Sequence, residues 1–141
     1  MDATDLNREN RGIDRQPVVG VIGVVDDDEP VRAALSSLMR SAGYKCAVFP
    51  SAEEFLASGP RETDCLVLDV RMPGLSGFDL HLKLREMNLK VPVIFVTGQA
   101  DDELRARALG QGAVALLAKP FNDDVLLGTI QSAIDGASGR A

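Results

Sequence analysis

Little in this chain marks a specialised environment: it contains no Trp, one Tyr, five Phe, two Cys and a single His. Cys46 and Cys65 are too few for the disulfide framework of a small secreted domain, and both are expected to be buried thiols. No apolar run is long enough to span a bilayer. The longest, Val18 to Val25, stops at three aspartates, and Met1 to Gln16 lacks the apolar centre of a signal peptide. These absences predict a cytoplasmic protein with no membrane association. Basic residues are also short, 15 against 21 acidic ones, and the net charge of −6 gives no broad electrostatic footprint for nucleic acid. No G-x-G-x-x-G follows an apolar run, so a dinucleotide-binding turn is not indicated.

What is present is an ordinary globular composition, 45% hydrophobic and 26% charged, in 141 residues that suit one domain. Residues 1–16 mix charges of both signs without an apolar period and are expected to form a mobile N-terminal arm. The folded domain is expected over 17–135, with a small, polar, flexible tail at 136–141. Between them, apolar runs alternate with helical patterns. Strands are expected at Val18 to Val25, Tyr44 to Phe49, Asp64 to Asp69, Val91 to Val96 and Ala113 to Ala118.

The intervening helices carry their own signals. Pro30 suits a first turn, with Val31, Ala34, Leu35 and Leu38 at helical spacing behind it. Ser51 and Glu54 form an S-x-x-E capping box. Ser76 opens a helix carrying Phe78, Leu80, Leu82, Leu84 and Met87 that ends near Asn88. Another spans Asp101 to Leu109, and Asn122 caps the last, whose core stripe is Leu126, Ile130, Ala133 and Ile134. Five strands alternating with five helices predict right-handed crossovers and a doubly wound, flavodoxin-like α/β fold. Its parallel sheet is expected in the order 2-1-3-4-5, with a ligand crevice at the switch point between strands 1 and 3. Strand 1 then separates the two cysteines and makes a disulfide geometrically poor.

The chemistry lies in where the polar residues fall. Asp26 and Asp27 follow strand 1, Asp69 ends strand 3, Thr97 ends strand 4 and Lys119 ends strand 5. All lie at the carboxyl edge that such sheets use for ligands. Three carboxylates on adjacent strands repel one another and raise their own pKa values unless something positive intervenes, and Mg²⁺ fits such an open oxygen site. Carboxylates, a hydroxyl, a lysine and a metal together meet the needs of phosphoryl transfer, with Asp69 as acceptor. Singly, each has a plainer reading. Asp28 suits an ordinary helix cap, Thr97-Gly98 a strand terminator and Lys119 a solvated charge. Arg105, Arg107 and Lys83 suit solvated helix faces, His81 a surface or half-buried helical position, and Leu127 an exposed spot beside the core stripe.

The segments VVDDDEPVR, LVLDVRMPGLSG, VIFVTG and LLAKPF, in this order, resemble the receiver domain of bacterial two-component response regulators, the CheY-like superfamily. The resemblance covers roughly Val18 to Ile134. It implies that Asp26 and Asp27 are the metal-binding acidic pair and that Asp69 is the phosphoacceptor and also touches Mg²⁺. Arg71 would offer its backbone carbonyl to the metal, Thr97 would be the switch hydroxyl and Lys119 the family's lysine. Lys119-Pro120 becomes a candidate cis bond. The implied function is a phosphorylation-activated switch with protein-protein output, whose phosphoryl donor is a sensor histidine kinase or phosphotransfer protein. No direct nucleic-acid contact by this chain is implied, and homodimer formation is left open. One departure stands out: the position three before the lysine, usually aromatic in receivers, is Leu116. Signalling is then expected through Thr97 and the loop from Gly98 to Asp101.

Four other functions compete. A degenerate receiver would act as a phosphorylation-independent interaction module. The chain could be the receiver half of a longer LuxR-type transcription regulator. A haloacid-dehalogenase-type phosphatase would need a second aspartate two residues after the nucleophile, where Arg71 stands. A flavodoxin-like cofactor binder would need a hydroxyl-rich loop after strand 1, and this one is acidic. No enzyme activity is therefore expected beyond self-catalysed phosphorylation and dephosphorylation of the aspartate.

Overall fold

A computed structural model describes residues 20–59 and 62–137. Ten elements alternate along it: β1 (Val21–Val25), α1 (Glu29–Ser41), β2 (Lys45–Phe49), α2 (Ala52–Ala57), β3 (Cys65–Asp69), α3 (Gly77–Glu86), β4 (Val93–Thr97), α4 (Asp102–Gly110), β5 (Ala115–Ala118) and α5 (Asp123–Ala137). The strands form one parallel sheet in the order β2-β1-β3-β4-β5, as expected. The N-terminal arm lies outside the described residues, as do Val18, Val19 and residues 138–141.

The unbroken apolar runs of β3 and β4 are explained by a sheet buried on both faces. Successive side chains point to opposite sides. Leu66, Leu68, Val93 and Phe95 pack with Phe55 of α2, Phe78, Leu80 and Leu84 of α3, and Ala108 of α4. Cys65, Val67, Ile94 and Val96 face the other way, onto Leu35 and Met39 of α1 and Leu126, Ile130, Ala133 and Ile134 of α5. Each fully buried large side chain contributes roughly 1.5–3 kcal/mol against the entropy of ordering the chain. Cys46 and Cys65 are free, and both pair in register with Ile22, one from each side of β1. That strand between them is the geometric reason no disulfide forms, and burial pushes the Cys65 thiol up to about 12.

Several local expectations are corrected. β4 starts at Val93 rather than Val91 and includes Thr97, and β5 starts at Ala115. Pro92 stays outside the strand because it has no N–H for a central ladder. Helix α3 ends at Glu86, with Asn88 at φ 63, and α5 continues to Ala137, past the expected boundary at 135. At α2 the Ser51 side chain accepts the Glu54 N–H, while the box with both bonds is Ser76/Asp79 at α3. In α1 the buried residue beside Leu35 is Met39, and Ala34 is exposed. Leu82 of α3 and Met87 just past its end face solvent, and Leu127 is half-buried against the α5 side of the core. His81 is buried rather than superficial: its ring lies edge-on to Phe95, with Gln111 Nε2 at 3.0 Å from its Nδ1.

Candidate functional site

The carboxyl ends of β1, β3, β4 and β5 bring the polar residues together. Asp26 follows β1 directly, and its backbone N–H donates to Phe49 O while Arg32 holds its carbonyl at 2.7 Å. Asp28 caps α1 by accepting the Val31 N–H, as expected, and its own N–H donates to Asp26 Oδ1 at 2.9 Å. Oxygens of Asp26, Asp27 and Asp69 lie within 4.8 Å of one another, with Asp26 and Asp69 buried and Asp27 exposed. Lys119 reaches in from the end of β5, its Nζ at 2.9 Å from Asp26 Oδ2 and 3.7 Å from Asp69 Oδ2. Lys119-Pro120 is cis. Thr97 is 1% exposed and its hydroxyl accepts the Gln99 N–H at 3.3 Å; the hydroxyl's own hydrogen has no acceptor among the described residues.

The electrostatics follow from crowding. Burial, then the charge of Asp26, push Asp69 up to about 6 from the usual 3.8; Lys119 and a hydrogen bond from the Arg71 N–H act the other way, and Asp27 adds to the rise. Burial alone would lower the Lys119 ammonium. The hydrogen bond to Asp26 and the charges of Asp69, Asp26 and Asp28 outweigh it, so its pKa is raised. Lys119 therefore stays charged between two carboxylates. A buried acidic pair with a third, exposed carboxylate beside it suits a hard divalent cation that keeps part of its water shell. The donor set is all oxygen and open on one side, which fits Mg²⁺ better than Zn²⁺.

Sequence reading named Asp26, Asp27, Asp69, Arg71, Thr97 and Lys119, and all lie at this one edge, Arg71 giving its backbone N–H to Asp69. It missed three residues that hold the site in shape. A Cβ at Gly77 would run into the Asp69 carbonyl oxygen, while the Gly77 N–H donates to Val70 O at 2.9 Å, so α3 starts against the end of β3 only because that position is glycine. Glu53 of α2 accepts the Leu75 N–H at 3.1 Å and so ties down the loop after Asp69. Arg32 anchors Asp26 as described. Only Gly77 left a local signal, the small residue after Ser76. Leu116 is fully buried on the α3/α4 side of the sheet, and its carbonyl accepts from Arg105 at 2.6 Å. Arg107 lies over the Phe78 ring at 4.3 Å, so neither arginine is simply a solvated face.

Five parallel strands in this order, with an acidic pair, an aspartate, a threonine and a lysine at their carboxyl ends, define the receiver class of signalling domains. The model of the response regulator receiver domain matches residues 22–131, and the chain belongs to that family. It is 45% identical over 116 residues to Nodulation protein W of Bradyrhizobium diazoefficiens, covering 82% of this chain and 51% of that protein. It is 44% identical over 115 residues to Response regulator protein TmoT of Ectopseudomonas mendocina, covering 81% of this chain and 52% of that protein. The crystal structure of FixJ-N superposes with a TM-score of 0.77 at 36% identity, over 84% of this chain and 96% of that one. The chain spans about half the length of the curated relatives it matches. A receiver implies a histidine kinase and an output partner as interaction classes. No helix among the described residues is long and apolar enough to cross a membrane.

Proposed function

We propose that the chain is a phosphorylation-controlled receiver in which Asp69 accepts a phosphoryl group from a sensor histidine kinase or phosphotransfer protein, in the cytoplasm and with Mg²⁺. The observation that carries this reading is the Lys119 ammonium between Asp26 and Asp69, at 2.9 and 3.7 Å. Asp26 has one oxygen engaged by the Asp28 N–H and the other by Lys119, so it is a poor nucleophile. Asp69 is the freer carboxylate, and with a pKa of about 6 it is mostly ionised above pH 7.

An Asp69 oxygen attacks phosphorus as the bond from phosphorus to the donor nitrogen breaks. The electron pair returns to the donor imidazole, and an aspartyl phosphate remains. Lys119 supplies a point charge to the transferred oxygens, and the Thr97 hydroxyl has a hydrogen to donate to one of them. Asp26, Asp27, Asp69 and the Arg71 backbone carbonyl would hold the metal. When bound, Mg²⁺ neutralises charge that builds up between carboxylates and phosphoryl oxygens. No turnover of an external substrate is expected, because no acid or base stands at position 71 to expel the phosphoryl group rapidly.

Output passes through protein contact, and its coupling departs from the usual aromatic device because Leu116 carries no ring to reorient. That role falls to Thr97 and the loop from Gly98 to Asp101. Intact mass after incubation with acetyl phosphate and Mg²⁺ tests the proposal: one added phosphoryl group on the wild type and none on Asp69→Asn is expected. Unmodified wild type, even on rapid quenching, would refute it. Backbone amide shifts on adding beryllofluoride should then extend from Gly98 towards Leu116, and their absence would remove the coupling scheme.

A further inference from the structure

A second polar cavity lies at the opposite end of the sheet from Asp69, where the chain enters β4 and β5. Its volume is about 460 Å³, and it is bounded by the end of α3, the loop before β4 and the turn Gln111–Gly112. Arg85, Lys90 and His81 line it on the polar side, Leu89, Val91 and Pro92 on the apolar side, and none of its lining residues is acidic. Arg85 gives one N–H to the Gln111 carbonyl, and Lys90 has no partner among the described residues. His81 is 5% exposed, its Nδ1 is paired with Gln111 Nε2, and its Nε2 has no hydrogen-bond partner among the described residues. A buried polar atom without a partner costs free energy unless something satisfies it, and a lining that carries Arg85 and Lys90 with no acidic residue favours an anion, Asp64 lying in the adjoining cavity on the far side of Lys90.

We propose that this cavity binds a small ligand with an oxyanion head, a carboxylate or a phosphate group, and a short apolar body. The Arg85 guanidinium offers a planar fork, Lys90 a point charge and His81 Nε2 a fixed N–H donor. Burial, with the Arg85 charge second, lowers the His81 pKa, which favours the neutral ring. With Nδ1 accepting from the Gln111 amide, the ring hydrogen sits on Nε2. The body of the ligand would rest on Leu89, Val91 and Pro92. This site shares no residue with the Asp69 cluster, so the receiver would carry a second, chemical input.

His81 is the only histidine, so its ring resonances report on the cavity alone. The test is a long-range ¹H–¹⁵N titration of the full chain with inorganic phosphate and, separately, succinate, at constant ionic strength set by chloride and with EDTA present. A saturable shift of His81 Nε2 with at least one anion is expected, weakened by about tenfold or more in Arg85→Gln and in Lys90→Gln. Both side chains are exposed, so the variants should keep wild-type amide spectra and still be labelled at Asp69 by acetyl phosphate. Saturation by phosphate alone assigns a phosphate head, by succinate alone a carboxylate head, and by both a general oxyanion site. No saturable shift with either anion, or unchanged curves in both variants, would overturn the proposal.

Discussion

Replacing Asp69 by asparagine should make the fold more stable at neutral pH, and by an amount that disappears in acid. Burial and the neighbouring Asp26 push the carboxyl up to about 6 in the fold from the usual 3.8, and each tenfold change in proton affinity is worth roughly 1.36 kcal/mol. Keeping Asp69 ionised therefore costs the native state on the order of 3 kcal/mol well above pH 6. The folded pKa is the higher one, so the native state gains stability as pH falls through about 6 and has the full benefit below about 4. The amide introduced by Asp69→Asn carries no charge at any of these pH values, and the Lys119 attraction and the bond from the Arg71 N–H that it forgoes are already offset within that rise. The net gain for Asp69→Asn at pH 7.5 is then on the order of 3 kcal/mol, or roughly 9–12 °C in Tm for a domain of this size. It should shrink towards zero by pH 4.5. Urea melts in EDTA at pH 4.5, 6.0 and 7.5 measure this, followed by far-UV circular dichroism because the chain has no Trp. A variant no more stable than the wild type at pH 7.5, or a difference constant across the range, would refute the reasoning.

Three further outcomes follow from the same geometry. Mg²⁺ binds the native cluster and not the unfolded chain, so at ten times its Kd it should stabilise the wild type by about 1.4 kcal/mol, and Asp26→Asn should blunt that gain; a thermal melt reads both. Lys119→Met leaves two carboxylates without the cation between them, and should destabilise the metal-free protein by about 1–3 kcal/mol at pH 7.5 while making stability rise more steeply towards acid; parallel urea melts at two pH values check it. Gly77→Ala forces a methyl group onto the Asp69 carbonyl and should cost about 2 kcal/mol or more and slow acetyl phosphate labelling; a variant with wild-type melting and labelling would show that α3 can shift freely.

The strand ends were legible because each is an apolar run halted by a polar residue. Asp69, Thr97 and Lys119 stand out for that reason, and the right-handed crossover rule then carries them to one edge. The strand order came from the same rule, and with it the separation of Cys46 from Cys65 by β1. What was hidden depends on contacts between segments distant in the chain. Glu53 reaches Leu75 across 22 residues, and Gln111 meets His81 across 30; no local period encodes either. His81 sits between two leucines in α3, and only the packing against Phe95 decides that it points inward. Gly77 was visible as a small residue after Ser76, but the reason for it lies in how closely α3 approaches the end of β3. Strand starts were misjudged at Val91 and Ala113 because apolar residues in the preceding loops extend the runs.

The central claim is that phosphoryl transfer ends on Asp69, and the most direct measurement is chemical trapping of that bond. Wild-type protein is incubated with acetyl phosphate and Mg²⁺, reduced with sodium borohydride and mapped by peptide mass spectrometry. Reduction of an acyl phosphate converts the side chain to an alcohol. That mass change is expected in the peptide containing Asp69, dependent on both reagents. The same change at Asp26 or Asp27, or its absence from every peptide while a beryllofluoride titration leaves the Asp69 edge unperturbed, would contradict it.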